Sequence, residues 1–185
     1  NQRSVITGSI NRPTNKPVEQ MTATELEQAL GSYSKMYERD PRNKTVAMAF
    51  ASMLRMNDRN EQALAVMRKA AIDHPNDRDV LAAYGKALAG AGQFTQALDA
   101  IQRAQDPTQP DWRLISAEGA IMDQTNRSNE ARQLYKKALT FRPNEPSVLS
   151  NLGMSYLLEG KLQEAENYLR QASTQPGADS RVRQN

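Results

Sequence analysis

Alanine recurs at positions 29, 63, 97, 131 and 165, an interval of 34 residues each time. Five alanines in one phase constrain this chain more than any other feature, because a period of that length is one supersecondary unit. The last copy shows what the unit is. In PSVLSNLGMSYLLEGKLQEAENYLRQASTQP (146–176), Leu149, Leu152, Gly153 and Tyr156 share one helical face. After a break at Gly160, Ala165, Leu169 and Ala172 share a second. Such spacing gives a helix with one apolar stripe, and two such helices about a left-handed glycine make a helical hairpin. The chain is therefore expected to be all-α, an array of hairpins. A lone hairpin of this size buries too little apolar surface to offset its ordering entropy, whereas stacked neighbours share theirs.

The phase sets out four full units, beginning at Lys44, Arg78, Trp112 and Pro146. Their first helices carry Ala51, Gly85, Gly119 and Gly153 at the same point. Glycine inside a helix costs about 1 kcal/mol against alanine, so three in phase need a cause. The expected cause is close approach of the second helix, whose in-phase alanines are Ala63, Ala97, Ala131 and Ala165. First helices are expected to end at Asp58, Gly92, Asn126 and Gly160, residue types that tolerate positive φ. Units close near Pro75, Pro107 or Pro110, Pro143 and Pro176, since proline cannot continue a helix. Glu118 stands where the other units have Phe50, Tyr84 and Leu152, which predicts poorer packing of the third unit, with Trp112 covering the loop.

Residues 1–21 hold two prolines and no periodicity. They read as a flexible tether, with Val5, Ile6 and Ile10 docked in a groove as the alternative. Order is expected from a capping helix over 22–40, opened by Thr22 and Glu25 as a capping box. The solenoid then extends over 22–185, a truncated fifth unit starting at 180. That end lacks its cover, so the expectation is that the natural chain continues, or that a partner or a second copy packs there by self-association.

Composition narrows the function. Hydrophobic residues make up 38% and charged residues 24% of 185, with no run near the roughly 18 apolar residues of a membrane span. Cysteine is absent and His74 is the one histidine, so no cysteine nucleophile or His/Cys metal site is expected. No cofactor is expected either: AGAGQF (89–94) lacks the Lys-Ser/Thr of a phosphate loop. A net charge of +3 and ten aromatic residues argue against nucleic acid, which wants a basic stripe with stacking rings. Arg68, Lys69, Lys136 and Lys137 read as solvated faces. The expectation is a non-enzyme.

The period, the small residue at the eighth position, alanines at the twentieth and twenty-seventh and the closing proline resemble the tetratricopeptide repeat over 23–177. Within that, PDWRLISAEGAIMDQTNR (110–127), PNEPSVLSNLGMSYLLEGKLQEAE (143–166) and QPGADSRVRQN (175–185) resemble the tetratricopeptide lipoprotein of the tight-adherence (Tad/Flp) pilus assembly system. That resemblance implies a right-handed superhelix at the periplasmic face of the outer membrane, assisting a secretin or another pilus-assembly protein. Membrane attachment would run only through an N-terminal lipidated cysteine, which this chain lacks.

The repeat resemblance also implies a concave groove lined by first helices. Carried onto this sequence, its ligand-facing residues include Met48, Ser52 and Arg55, then Asp79 and Lys86, then Arg113, Ser116 and Asp123. The fourth unit adds Ser150, Asn151, Met154, Leu157 and Leu158. The clamp with which some members hold a C-terminal carboxylate is incomplete here. The groove is expected to take an extended or helical peptide by apolar contacts, oriented by Asn151, Lys86 and Arg113. Leu157 and Leu158 have the rival role of packing on a fifth unit. Two functions follow: an envelope assembly factor, or the partner-recruiting domain of a larger enzyme.

Overall fold

A computed structural model describes residues 20–176. The described residues form nine helices: α1 (Ala23–Arg39), α2 (Lys44–Met56), α3 (Asn60–Asp73), α4 (Arg78–Gly90), α5 (Phe94–Ala104), α6 (Trp112–Gln124), α7 (Ser128–Phe141), α8 (Pro146–Leu158) and α9 (Leu162–Thr174). The expected tether and the expected fifth unit fall almost wholly outside them. Each helix packs on its neighbours in sequence, and α2, α4, α6 and α8 also touch one another in order. The first helices thus form one layer and the second helices another, an all-α solenoid.

Local chemistry sets the helix starts. The Thr22 hydroxyl accepts the Glu25 N–H at 3.2 Å and opens α1. Asn43, Asp77 and Asp111 cap α2, α4 and α6, accepting the N–H groups of Val46, Val80 and Arg113 at 3.1, 3.1 and 2.9 Å. α8 has no side-chain cap and begins with Pro146, whose ring presets φ and whose missing N–H would have been an orphan there.

One turn is used four times. Asp58, Gly92, Asn126 and Gly160 have φ of 57, 78, 60 and 74°. The next residue's N–H then reaches back five positions: Arg59 to the Leu54 carbonyl, Gln93 to Leu88, Arg127 to Met122 and Lys161 to Tyr156, at 2.8–3.0 Å. This is the Schellman closure, which satisfies carbonyls the helix end would orphan. Asn144 also has positive φ, at 58°, in the connection before α8.

Within each hairpin the glycine sets the distance. A Cβ at Gly119 would lie 2.8 Å from Tyr135 Cε1 and 3.1 Å from the Ala131 carbonyl oxygen. At Gly85 it would lie 2.7 Å from Ile101, and at Gly153 2.7 Å from Leu169. The glycine therefore seats the large side chain one turn beyond the alanine, while the alanine brings its own backbone close. Ala63, Ala97 and Ala131 are fully buried and Ala165 nearly so.

The buried core falls into two clusters that meet in α6. Ile121 packs with α1–α5, and Ile115 and Met122 pack with α7 and α8. Glu118, where other units place an apolar residue, accepts hydrogen bonds from Gln102 and Gln105 of the preceding unit, at 3.2 and 2.7 Å. Trp112 is half-buried against the second cluster, with the Arg113 guanidinium 5.0 Å above its ring.

Gly119→Val is expected to destabilise the fold by about 2 kcal/mol, the range of overpacked cores. Gly31 in α1 has nothing within 4 Å of its added Cβ, so Gly31→Ala is expected to stabilise by up to about 1 kcal/mol. Urea melts of the two variants check both signs.

Candidate functional site

The concave layer holds two adjoining hollows. The first, of about 360 Å3, is lined by Met48, Ser52, Arg55, Asp79, Lys86 and Arg113, with Ala82, Ala83 and Asp111. Six residues that the repeat resemblance assigned to the groove thus face one space. Asn43, Asp77 and Asp111 fix the starts of α2, α4 and α6, which sets the rotation that brings these residues together. The small side chains of Ala82 and Ala83 leave the volume open.

The second hollow, of about 500 Å3, was not anticipated. Arg55 and Lys86 form one wall, and Ala89, Phe94, Ile101, Ala117, Ala120 and Ile121 make the rest largely apolar. It lies between the second and third units, where α6 presents Ala117 and Ala120 in place of bulk. The run of small residues was its signal in the sequence; Phe94, at the turn into α5, gave none.

Charge is unevenly satisfied in this region. Asp79 faces Lys44 at 3.8 Å, and the Asp111 carboxylate is taken by the α6 N-terminus. Arg55 and Lys86 have no ion pair or hydrogen bond among the described residues. Arg55 is held below the usual guanidinium range by desolvation. Lys86 is lowered by desolvation first and then by the charge of Arg55, with Asp111 opposing.

The remaining groove residues stand elsewhere. Ser116 and Ser150 are 6% and 3% exposed, packed between first helices instead of facing the groove. Asn151 donates to Ser116 Oγ at 3.2 Å, which links α8 to α6 and ties up part of its amide. Met154 is half-buried, and Leu157 and Leu158 are exposed. The expected cover for those leucines lies outside the described residues.

Asp123 corrects the sequence reading most clearly, because both its oxygens serve the fold. It accepts from Tyr135 Oη and from Ser155 Oγ, each at 2.8 Å. Burial, then the bond to Asp123, pushes the Tyr135 phenol far above its ordinary pKa. The same network contains Arg132, only 5% exposed, which donates to Ser155, Asn129 and Glu159 at 3.3, 2.7 and 3.0 Å. Its guanidinium lies 4.7 Å over the Tyr156 ring. Arg132 occupies the phase of Leu64 and Leu98, so at this position the joint between the third and fourth units is polar where earlier joints are apolar. The 34-residue alignment contained that signal.

His74, the lone histidine, places Nε2 2.8 Å from the Arg42 carbonyl oxygen. Among the described residues no group of three or more histidines and carboxylates is placed to hold a metal. No described helix is long and apolar enough to cross a membrane.

Known proteins place this geometry in a class. Tetratricopeptide-repeat models match residues 49–111 and 147–174. The chain carries tetratricopeptide repeats and is built as a tetratricopeptide-repeat solenoid. It is 31% identical over 124 residues to the TPR repeat-containing protein PA4667 of Pseudomonas aeruginosa. That match covers 66% of this chain and 21% of the relative's length. Among solved structures it resembles PilW, described as a widely conserved type IV pilus biogenesis factor, with a TM-score of 0.71 and 21% identity over 82% of this chain and 70% of that one. It also resembles PilF of Pseudomonas aeruginosa, with a TM-score of 0.65 and 24% identity over 86% and 72%. These likenesses establish the fold.

Arg132→Leu restores the leucine of the earlier units yet is expected to destabilise by about 1–3 kcal/mol, because Ser155, Asn129 and Glu159 lose a buried donor. The bond to Arg132 holds Glu159 below the usual carboxylate range. That contribution is therefore present above the unfolded carboxylate pKa and lost as pH falls through the folded one. Denaturant melts between neutral and acidic pH should show a decline that Glu159→Gln makes shallower.

Proposed function

We propose that the chain is a non-catalytic scaffold that binds a partner protein in its concave groove during assembly of an envelope machine, a pilus or a secretin. The observation that carries the reading is the gathering of Met48, Ser52, Arg55, Asp79, Lys86 and Arg113 around one open hollow. Grooves between helices take peptides by apolar contact with a few orienting polar groups, and methionine adapts to irregular apolar partners. The sequence resemblance to the tight-adherence pilus lipoprotein supports the pilus assignment. So does the likeness in fold to PilW and PilF, the first a pilus biogenesis factor. The periplasmic face of the outer membrane is the proposed location on the same grounds.

A second reading makes the chain a partner-recruiting module of a larger protein. In its favour, the chain spans only 21% of the length of PA4667.

Photocrosslinking amino acids at Met48 and Ser52, with Ile72 on α3 as the outward control, test the groove in the organism that carries the protein. Crosslinks from the two groove sites to a secretin or pilus component, lost in Lys86→Glu, are the expected result. Equal labelling from Ile72, or groove adducts only with proteins outside the envelope, would defeat the assignment.

A further inference from the structure

We propose that the groove recognises an internal acidic side chain of its partner, an Asp or Glu seated on Arg55 and Lys86 with a large apolar residue beside it in the second hollow. The inference rests on the groove reading above and names the kind of segment the groove takes.

Three observations converge on the acid. Several cations of the described surface are paired: Lys44, Lys69, Arg78 and Arg142 each have a carboxylate at 2.6–3.4 Å. Arg55, Lys86 and Arg113, which line the first hollow, have no ion pair among the described residues. The acids near them are partly engaged elsewhere: Asp79 lies 3.8 Å from Lys44, and one oxygen of Asp111 accepts from the start of α6. Finally, Arg55 and Lys86 face one space and neither has an ion pair among the described residues, so an incoming carboxylate relieves their mutual repulsion. Desolvation lowers the pKa of Lys86 most, and the charge of Arg55 lowers it further. The Arg55 stem also runs beside Gly90, its Cδ 3.8 Å from where a Cβ would stand, so the guanidinium is held at this wall.

Position decides between a side chain and a chain terminus. Arg55 and Lys86 belong to the walls of both hollows. A carboxylate bound to them sits midway along the groove, with chain continuing into both spaces. A C-terminal carboxylate at that point would leave one hollow empty. The volumes, about 360 and 500 Å3, lie in the range of ligand-binding pockets, and the apolar lining of the second selects a residue such as Leu, Ile or Phe.

The test is selection of a random decapeptide library, displayed so that no peptide has a free C-terminus, on the full chain. Enriched peptides are expected to place Asp or Glu at a fixed offset from a large apolar residue. A capped synthetic copy should lose about tenfold or more in affinity when its acid becomes the amide. Arg55→Gln and Lys86→Gln should each weaken the acidic peptide comparably and leave the amide peptide unchanged. Their melting temperatures should stay level or rise, since no internal bond is lost. Enriched peptides without an acid, equal loss for both peptides, or competition only by peptides with a free C-terminus would overturn the inference. A lowered melting temperature in both variants would assign the cations to the fold and overturn it too. Ser52→Trp, which fills the first hollow, separates the two readings. Neutral peptides that this variant excludes would leave the groove standing without the acid. No enriched peptide, or peptides indifferent to Ser52→Trp, would remove both.

Discussion

The structure depends on how closely two helices of a hairpin can lie. In three of the four units that distance is set where a glycine meets the side chain one turn past the repeat alanine. The contact is unforgiving because it involves backbone as well as side chain: the alanine carbonyl lies 3.1–3.2 Å from where a Cβ would be. A side chain can rotate away, but a carbonyl bonded within its own helix cannot do so cheaply. Ala51 in the first unit is 3% exposed, so the same place there tolerates one methyl group. The layer of first helices, and with it the groove, inherits its spacing from these contacts.

Much of this was legible because the repeat compares the chain with itself. The alanine phase marks Lys44, Arg78, Trp112 and Pro146, and the first helices begin at those residues. Asp58, Gly92, Asn126 and Gly160 were named as left-handed from residue type alone and have the expected φ. The glycine contacts were foreseen in kind, although the in-phase alanine was expected to be the main partner and the larger residue beyond it turned out closer. Residue type and phase are local quantities, and they determine local geometry well.

What escaped the sequence was pairwise. Asp123 has the phase of a groove residue, yet its oxygens are taken by Tyr135 and Ser155, which lie 12 and 32 positions away. No periodicity reports which of two facing side chains will bond. Arg132 was detectable as a departure from Leu64 and Leu98, but its partners were not. The second hollow was hidden for a related reason: it exists through what α4 and α6 omit, and a void has no residue of its own to read. Met48, Ser52, Arg55, Asp79, Lys86 and Arg113, which the repeat resemblance assigned to the groove, come together because facing positions on stacked first helices need no pairwise choice.

The seam through α6 has a mechanical consequence. Amide–carboxylate bonds from Gln102 and Gln105 to Glu118 replace an apolar wedge there, and bonds of that kind exchange with water more readily than a packed side chain leaves a core. The second hollow adjoins these bonds, with Phe94 and Ile101 of the second unit on one bank and Ala117 and Ile121 of α6 on the other. Whatever fills it clasps two halves of the rod, so occupancy and superhelical curvature are thermodynamically linked.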